Sequence, residues 1–161
     1  MGGTVSIMDD IRKHLINLLD MKGAHIDLDG TVKSFPAGLR GSRPPGAPHT
    51  AWQLLEHIRI AQWDILEFSR DPSHKSPAWP EGYWPKSDAP PADGAWDESV
   101  AKIHHDLNEM KKLVSDPTLD LLKKLDHGEG QTLLREALLV ADHNSYHLGQ
   151  LMYLRKMLEA Q

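Results

Sequence analysis

The sequence predicts an all-α protein built as a four-helix bundle, and three observations carry that expectation. Apolar residues recur at helical spacing in four segments, while no stretch alternates long enough to support a sheet. The last segment, Gln131–Leu158, is apolar on more than one side, as expected of a helix at the centre of a bundle. The first and second connections are long and proline-rich, so the threading is not a plain succession of hairpins. With 161 residues, the simplest organisation is a single domain over 1–161, large enough to bury a core without disulfides or metal staples.

The first helix opens at Ser6, where Asp9 three residues on forms a capping pattern. Ile7, Ile11, Leu15, Leu18 and Leu19 then hold helical register, with Gly23 as a plausible stop. Ala24–Phe35 is a weaker helical piece, interrupted by Asp29-Gly30. Pro36 to Pro48 carries four prolines and three glycines and reads as an ordered connector. The second helix starts at the capping box Thr50-x-x-Gln53 and shows Leu54, Ile58, Ala61, Ile65 and Phe68 on one face. His57 borders that face, where a histidine either packs its ring and wets its tip or reaches a ligand. Asp71-Pro72 ends the helix.

Residues 72–96 hold six of the eleven prolines and three of the five tryptophans, Trp79, Trp84 and Trp96. Disordered segments are poor in aromatics, so this connection reads as an aromatic lid or crossover on the bundle end, or else as a dimer contact. The third helix carries Val100, Ile103, Leu107, Met110 and Val114 and stops at Asp116-Pro117, with His104 and His105 as surface or boundary residues. Thr118–Leu125 is at most a short helical turn, and His127 lies in the loop that follows. In the final helix, Leu133, Ala137, Val140, His147, Leu151 and Leu154 make one stripe. Leu134, Leu138, Ala141, Leu148 and Met152 make another.

His143 and His147 stand four residues apart on that helix, so both rings leave one face, a geometry in which two imidazoles can share a metal ion. Ten histidines in a chain of this length produce about 0.6 such pairs by chance, so the spacing alone decides nothing. The bland alternative is one core histidine and one boundary histidine, each hydrogen-bonded.

Composition narrows the chemistry. The chain has no cysteine, which excludes disulfides, thiolate metal sites and a cysteine nucleophile. It contains neither an apolar run of membrane length nor a basic-then-apolar leader, so the expectation is a cytoplasmic protein with no membrane partner. Net charge is −5 with scattered Lys and Arg, which argues against nucleic acid as a partner.

Three segments together resemble the DinB-like superfamily of four-helix metalloproteins. They are Pro48-His-Thr-Ala-Trp-Gln-Leu-Leu-Glu-His57-Ile, the aromatic loop Trp79-Pro-Glu-Gly-Tyr-Trp-Pro85, and Gly130-Gln-Thr-Leu-Leu-Arg-Glu-Ala through Asp142-His143-Asn-Ser-Tyr-His147-Leu-Gly-Gln150. The resemblance spans essentially the whole chain. It implies an up-down-down-up bundle, a homodimer, and a three-histidine site for a divalent transition metal, with His57, His143 and His147 as ligands. Ligand chemistry makes zinc or nickel the expected ion, while imidazole also suits copper and iron. It also implies a choice of functions, since related families include thiol-dependent transferases and isomerases, metal-dependent hydrolases, and DNA-damage-inducible members without an established reaction.

Three neutral imidazoles leave a divalent ion its full charge and an open position, where a water or a thiol can be acidified. Lacking cysteine, the protein would need a low-molecular-weight thiol as cosubstrate for thiol transfer. The expected function is therefore a metal-dependent enzyme acting on a small molecule by thiol transfer or hydrolysis. The alternative is a non-catalytic metal-binding protein of the stress response. Tyr146, Asn144 and Gln150 are the candidates for a role beside the metal, with Glu136 and Asp64 as further groups that could orient the rings. Their structural alternatives are a core aromatic for Tyr146, helix-packing hydrogen bonds for Asn144 and Gln150, and solvated charges for Glu136 and Asp64.

Overall fold

The computed structural model describes residues 6–33 and 35–160. Among them the chain is all-helical, with helices α1 (Ile7–Leu19), α2 (Leu28–Val32), α3 (Ala51–Arg70), α4 (Ala95–Ser115) and α5 (Leu133–Glu159), and no strand is present. Two short 3-10 turns, Ala37–Leu39 and Glu81–Tyr83, sit in the long connections. Among the described residues, no helix is long and apolar enough to cross a membrane.

Local chemistry sets the helix ends. Ser6 and Thr50 each accept a backbone N–H from the first turn while Asp9 and Gln53 reach back, so both capping boxes form. The α1 helix ends at Leu19, earlier than Gly23, because Met21 takes a left-handed φ of 53° and turns the chain. Asp27 caps α2 by accepting from the Gly30 amide at 2.8 Å, which is how Asp29-Gly30 fits inside a one-turn helix. The aromatic connection ends sooner than the pattern suggested, since Trp96 already lies in α4, 2% exposed against Phe35. Thr118–Leu125 forms turns and no helix, with Leu121 buried beneath them and Lys124 bridged to Thr132.

One cluster of buried apolar side chains runs through the molecule, from Leu15 and Leu19 to Leu151 and Leu158. Helix α3 packs along both α4 and α5, and α1 packs along the same two helices. Helix α5 touches every other helix, as its wide apolar girth foretold. Only its first stripe is fully buried, however: Leu138 of the second is 43% exposed. Arg12 of α1 is buried and donates to the carbonyls of Val114 and Leu119, which closes the C-terminus of α4.

The two long connections are tied to each other. Asp88 pairs with Arg43 at 2.6 Å and accepts from Gln53, while its carbonyl accepts from the Thr50 hydroxyl at 2.6 Å. Trp52 donates its indole N–H to Ser87. The proline-rich segment before α3 is thus an ordered connector, held at the point where α3 begins.

Candidate metal centre

Helices α3 and α5 bring the three predicted histidines together. One nitrogen from each of His57, His143 and His147 lies within 4.8 Å of the others. Ring centroids are 4.5 Å apart for His57–His147 and His143–His147, and 4.9 Å for His57–His143. His57 and His147 are buried and His143 is half-buried.

Their hydrogen bonds say which nitrogens converge. His57 Nδ1 lies 2.9 Å from the Tyr83 carbonyl, an acceptor only, so Nδ1 carries the proton and Nε2 a lone pair. His147 Nδ1 lies 2.7 Å from Gln150 Oε1, which fixes the same tautomer there. His143 Nε2 is 3.1 Å from His57 Nε2. The Nδ1 atom of His143 is buried without a partner, as is Asn144 Oδ1 on the next residue. The amide nonetheless opposes the fall in the ring's basicity, so it is near, although outside hydrogen-bond geometry.

These atoms fit a cation. With its proton on Nδ1, His143 faces the His57 lone pair with one of its own. With the proton on Nε2, it can donate to His57 but leaves a buried Nδ1 lone pair unpaired. A shared divalent ion would remove the conflict: His57, His143 and His147 would hold it, and the His143 Nδ1–H would be left for Asn144 Oδ1. Bonds from imidazole to zinc of about 2.0–2.1 Å readily span two nitrogens so close together. Ligand histidines must be neutral, and these are. Burial first, then the charge of His147 and His57, pushes His143 down to about 4. Burial likewise takes His147 down to about 4, against the opposing bond from Gln150. His57 is lowered too, mainly by burial.

The orienting groups are only partly those expected from spacing. Gln150 holds His147 directly. Asn144 is 1% exposed and donates to Gln62 Oε1 at 2.7 Å, while Gln62 donates to the Ile103 carbonyl at 2.8 Å. That chain fixes the Asn144 amide with its oxygen free. Tyr146 is 64% exposed with its ring 4.9 Å from that of His147, so the core-aromatic reading fails. The solvated-charge readings fail as well. Glu136 is 2% exposed and paired to Arg135 at 2.7 Å. Asp64 is buried and accepts from the Tyr83 hydroxyl at 2.5 Å and from His74 at 2.7 Å. Tyr83 is therefore pinned to α3 twice, through its carbonyl at His57 and its hydroxyl at Asp64. Burial first, then Asp64, pushes that hydroxyl up to about 12. His104, His105 and His127 stand apart from the cluster, bonded to Asp29, Asp106 and the Phe68 carbonyl.

The aromatic connection covers the site with one residue. Trp84 stacks on His57 at 3.9 Å and 1°, and on its other face against His49 at 3.9 Å and 13°. His49 was not foreseen as part of the site. It sits in a loop before the Thr50 cap, where no helical spacing relates it to His57.

The histidine cluster, its neutral rings and the tryptophan cover all fall within, or directly on, a segment matched by a family model. The model described as DinB superfamily covers residues 23–151. No curated protein and no solved structure matches the chain. The match takes in both site-bearing helices up to Leu151 and the connections between them, and on that ground the chain belongs to the DinB superfamily.

Proposed function

We propose that this protein is a metal-dependent enzyme acting on a small molecule, with His57, His143 and His147 holding a divalent zinc or nickel ion. In this reading the long helices follow the up-down-down-up order. The observation that carries it is the convergence of three neutral imidazole nitrogens, two of them with the tautomer fixed from behind. When bound, the ion supplies a Lewis acid with an exchangeable position.

The protein's own groups do the rest. The Tyr83 carbonyl and Gln150 orient the rings, Asn144 offers the matching acceptor for His143, and Trp84 keeps water from the outer face of His57. The reaction is thiol transfer or hydrolysis. As the chain has no cysteine, the former takes its sulfur from a low-molecular-weight thiol.

The test is metal analysis followed by a turnover panel. His143→Ala and His147→Ala should each lose stoichiometric metal while circular dichroism shows the helices intact. Metal retained by the double variant would refute the ligand assignment. The loaded protein, offered electrophiles and esters with and without thiol, should turn over one class. Thiol-dependent product identifies transfer, thiol-independent product identifies hydrolysis, and no product from either refutes the enzymatic reading.

A further inference from the structure

Asp64 lies two turns beyond His57 on α3, on the same face and about 10.5 Å further along the axis. It is 8% exposed and uses both carboxylate oxygens, one for His74 and one for the Tyr83 hydroxyl. His74 comes from the chain just past α3. Tyr83 comes from the aromatic connection, and its carbonyl is the group that accepts the His57 Nδ1–H. A single tyrosine therefore spans two turns of α3, with its main chain on the histidine ring and its phenol on the carboxylate. The next residue, Trp84, stacks on the same ring, and Ser87 accepts from the Trp52 indole at 3.0 Å. The connection is thus drawn along α3 between anchors at Asp64 and Trp52, with His57 between them.

That arrangement gives the carboxylate a reach it lacks on its own. A loop carbonyl drifts with its loop, and a histidine ring can turn once its N–H loses its acceptor. Helix α3 fixes the separation of residues 57 and 64, and a tyrosine ring is rigid, with only two side-chain torsions. A charge-assisted bond at the phenol end therefore restrains the main chain at the other, so that Tyr83 works as a strut. The phenol stays a donor, since burial first and then Asp64 push it up to about 12. We propose that Asp64 is a positioning residue for the metal centre, acting through Tyr83 to hold the His57 ring with Nε2 turned to the ion. A bond that merely pinned the loop would leave the ring's tautomer and the metal affinity unmoved. The inference rests on the metal-site reading above and adds to it a group two turns away from His57.

Zinc affinity and the His57 tautomer test it, both on the full-length protein. Tyr83→Phe takes the phenol off Asp64 while keeping the carbonyl, and Asp64→Leu removes both bonds of the carboxylate. Each should weaken zinc binding on the order of 3- to 30-fold in competition with a chromophoric chelator, less than the loss of a group in direct contact with a ligand. In the metal-free protein, long-range proton–nitrogen NMR should show His57 as the Nδ1–H tautomer in wild type and divided between tautomers in both variants. Asp64→Asn should restore both readings, because its oxygen can accept from Tyr83 and its amide can donate to His74. An Asp64→Asn protein as impaired as Asp64→Leu would mean that charge acts rather than the strut, and would overturn the proposal. Tyr83→Phe carries the test should Asp64→Leu not fold. A folded Tyr83→Phe protein that binds zinc within twofold of wild type, with the tautomer unchanged, overturns the role of Asp64 alone. If wild type itself binds no zinc, the metal reading falls and this inference with it.

Discussion

The sharpest test of the site is Gln150, because one atom of it does one job. Its Oε1 accepts the His147 Nδ1–H at 2.7 Å, and His147 is 8% exposed, so water is a poor substitute. Gln150→Leu keeps similar volume and leaves that N–H without an acceptor. A buried unsatisfied donor costs about 1–3 kcal/mol, and the ring can escape the cost by rotating, which takes Nε2 away from the other two ligands. Either way metal binding bears the loss, and at 1.4 kcal/mol per decade the affinity should fall roughly 10- to 100-fold. Gln150→Glu should act in the opposite sense, since a carboxylate makes a stronger, charge-assisted bond and raises ligand basicity. Competition against a chromophoric chelator at constant pH and ionic strength measures both. A Gln150→Leu protein that keeps its helices and binds metal within twofold of wild type would refute the assignment of Gln150 as the group that orients His147.

Two further outcomes follow from the same geometry. Tyr83→Phe removes the hydroxyl bond to Asp64 and should cost about 1.5–3 kcal/mol, the range for hydrogen bonds to charged groups, read as a lower urea midpoint. An unchanged midpoint would mean that this anchor contributes no stability. The second concerns pH in the metal-free protein. His143 and His147 lie near 4 when folded and near 6.5 when unfolded, so the unfolded chain binds more protons between those values. Their contribution is therefore complete above pH 6.5 and is lost as pH falls toward 4, on the order of 3 kcal/mol for the pair after allowing for partial solvent contact. The His143→Ala, His147→Ala double variant should lose less stability over that interval, and equal losses in the two proteins would contradict the depressed basicity.

What the sequence made legible, and what it did not, divides by physical range. The capping boxes at Ser6 and Thr50 and the proline stops at Asp71 and Asp116 are local, and each lies where spacing put it. The HxxxH pair is equally local, and helix periodicity alone places both rings on one face. His57 needed the resemblance, since nothing in its own segment says which side chain on another helix it meets. Asp64 and Glu136 were misread because a lone acidic residue on a helix border looks solvated until its partner is known. For Asp64 the partners are Tyr83 and His74, both brought by a loop. His49 escaped for the same reason, since a loop residue has no period to reveal its neighbours.

Gln62 has a consequence for how the molecule assembles. Its amide is gripped from two directions, by Asn144 on α5 and by the Ile103 carbonyl on α4, deep between three helices. A slip of α3 by one turn in either direction would strand those dipoles in hydrocarbon, so the amide works like a dowel that sets axial registry. Because α3 and α5 are registered independently of any ion, the histidines meet before a metal arrives. Loading should therefore resemble filling a finished socket more than folding a zinc finger, with little change in helicity when the metal is stripped.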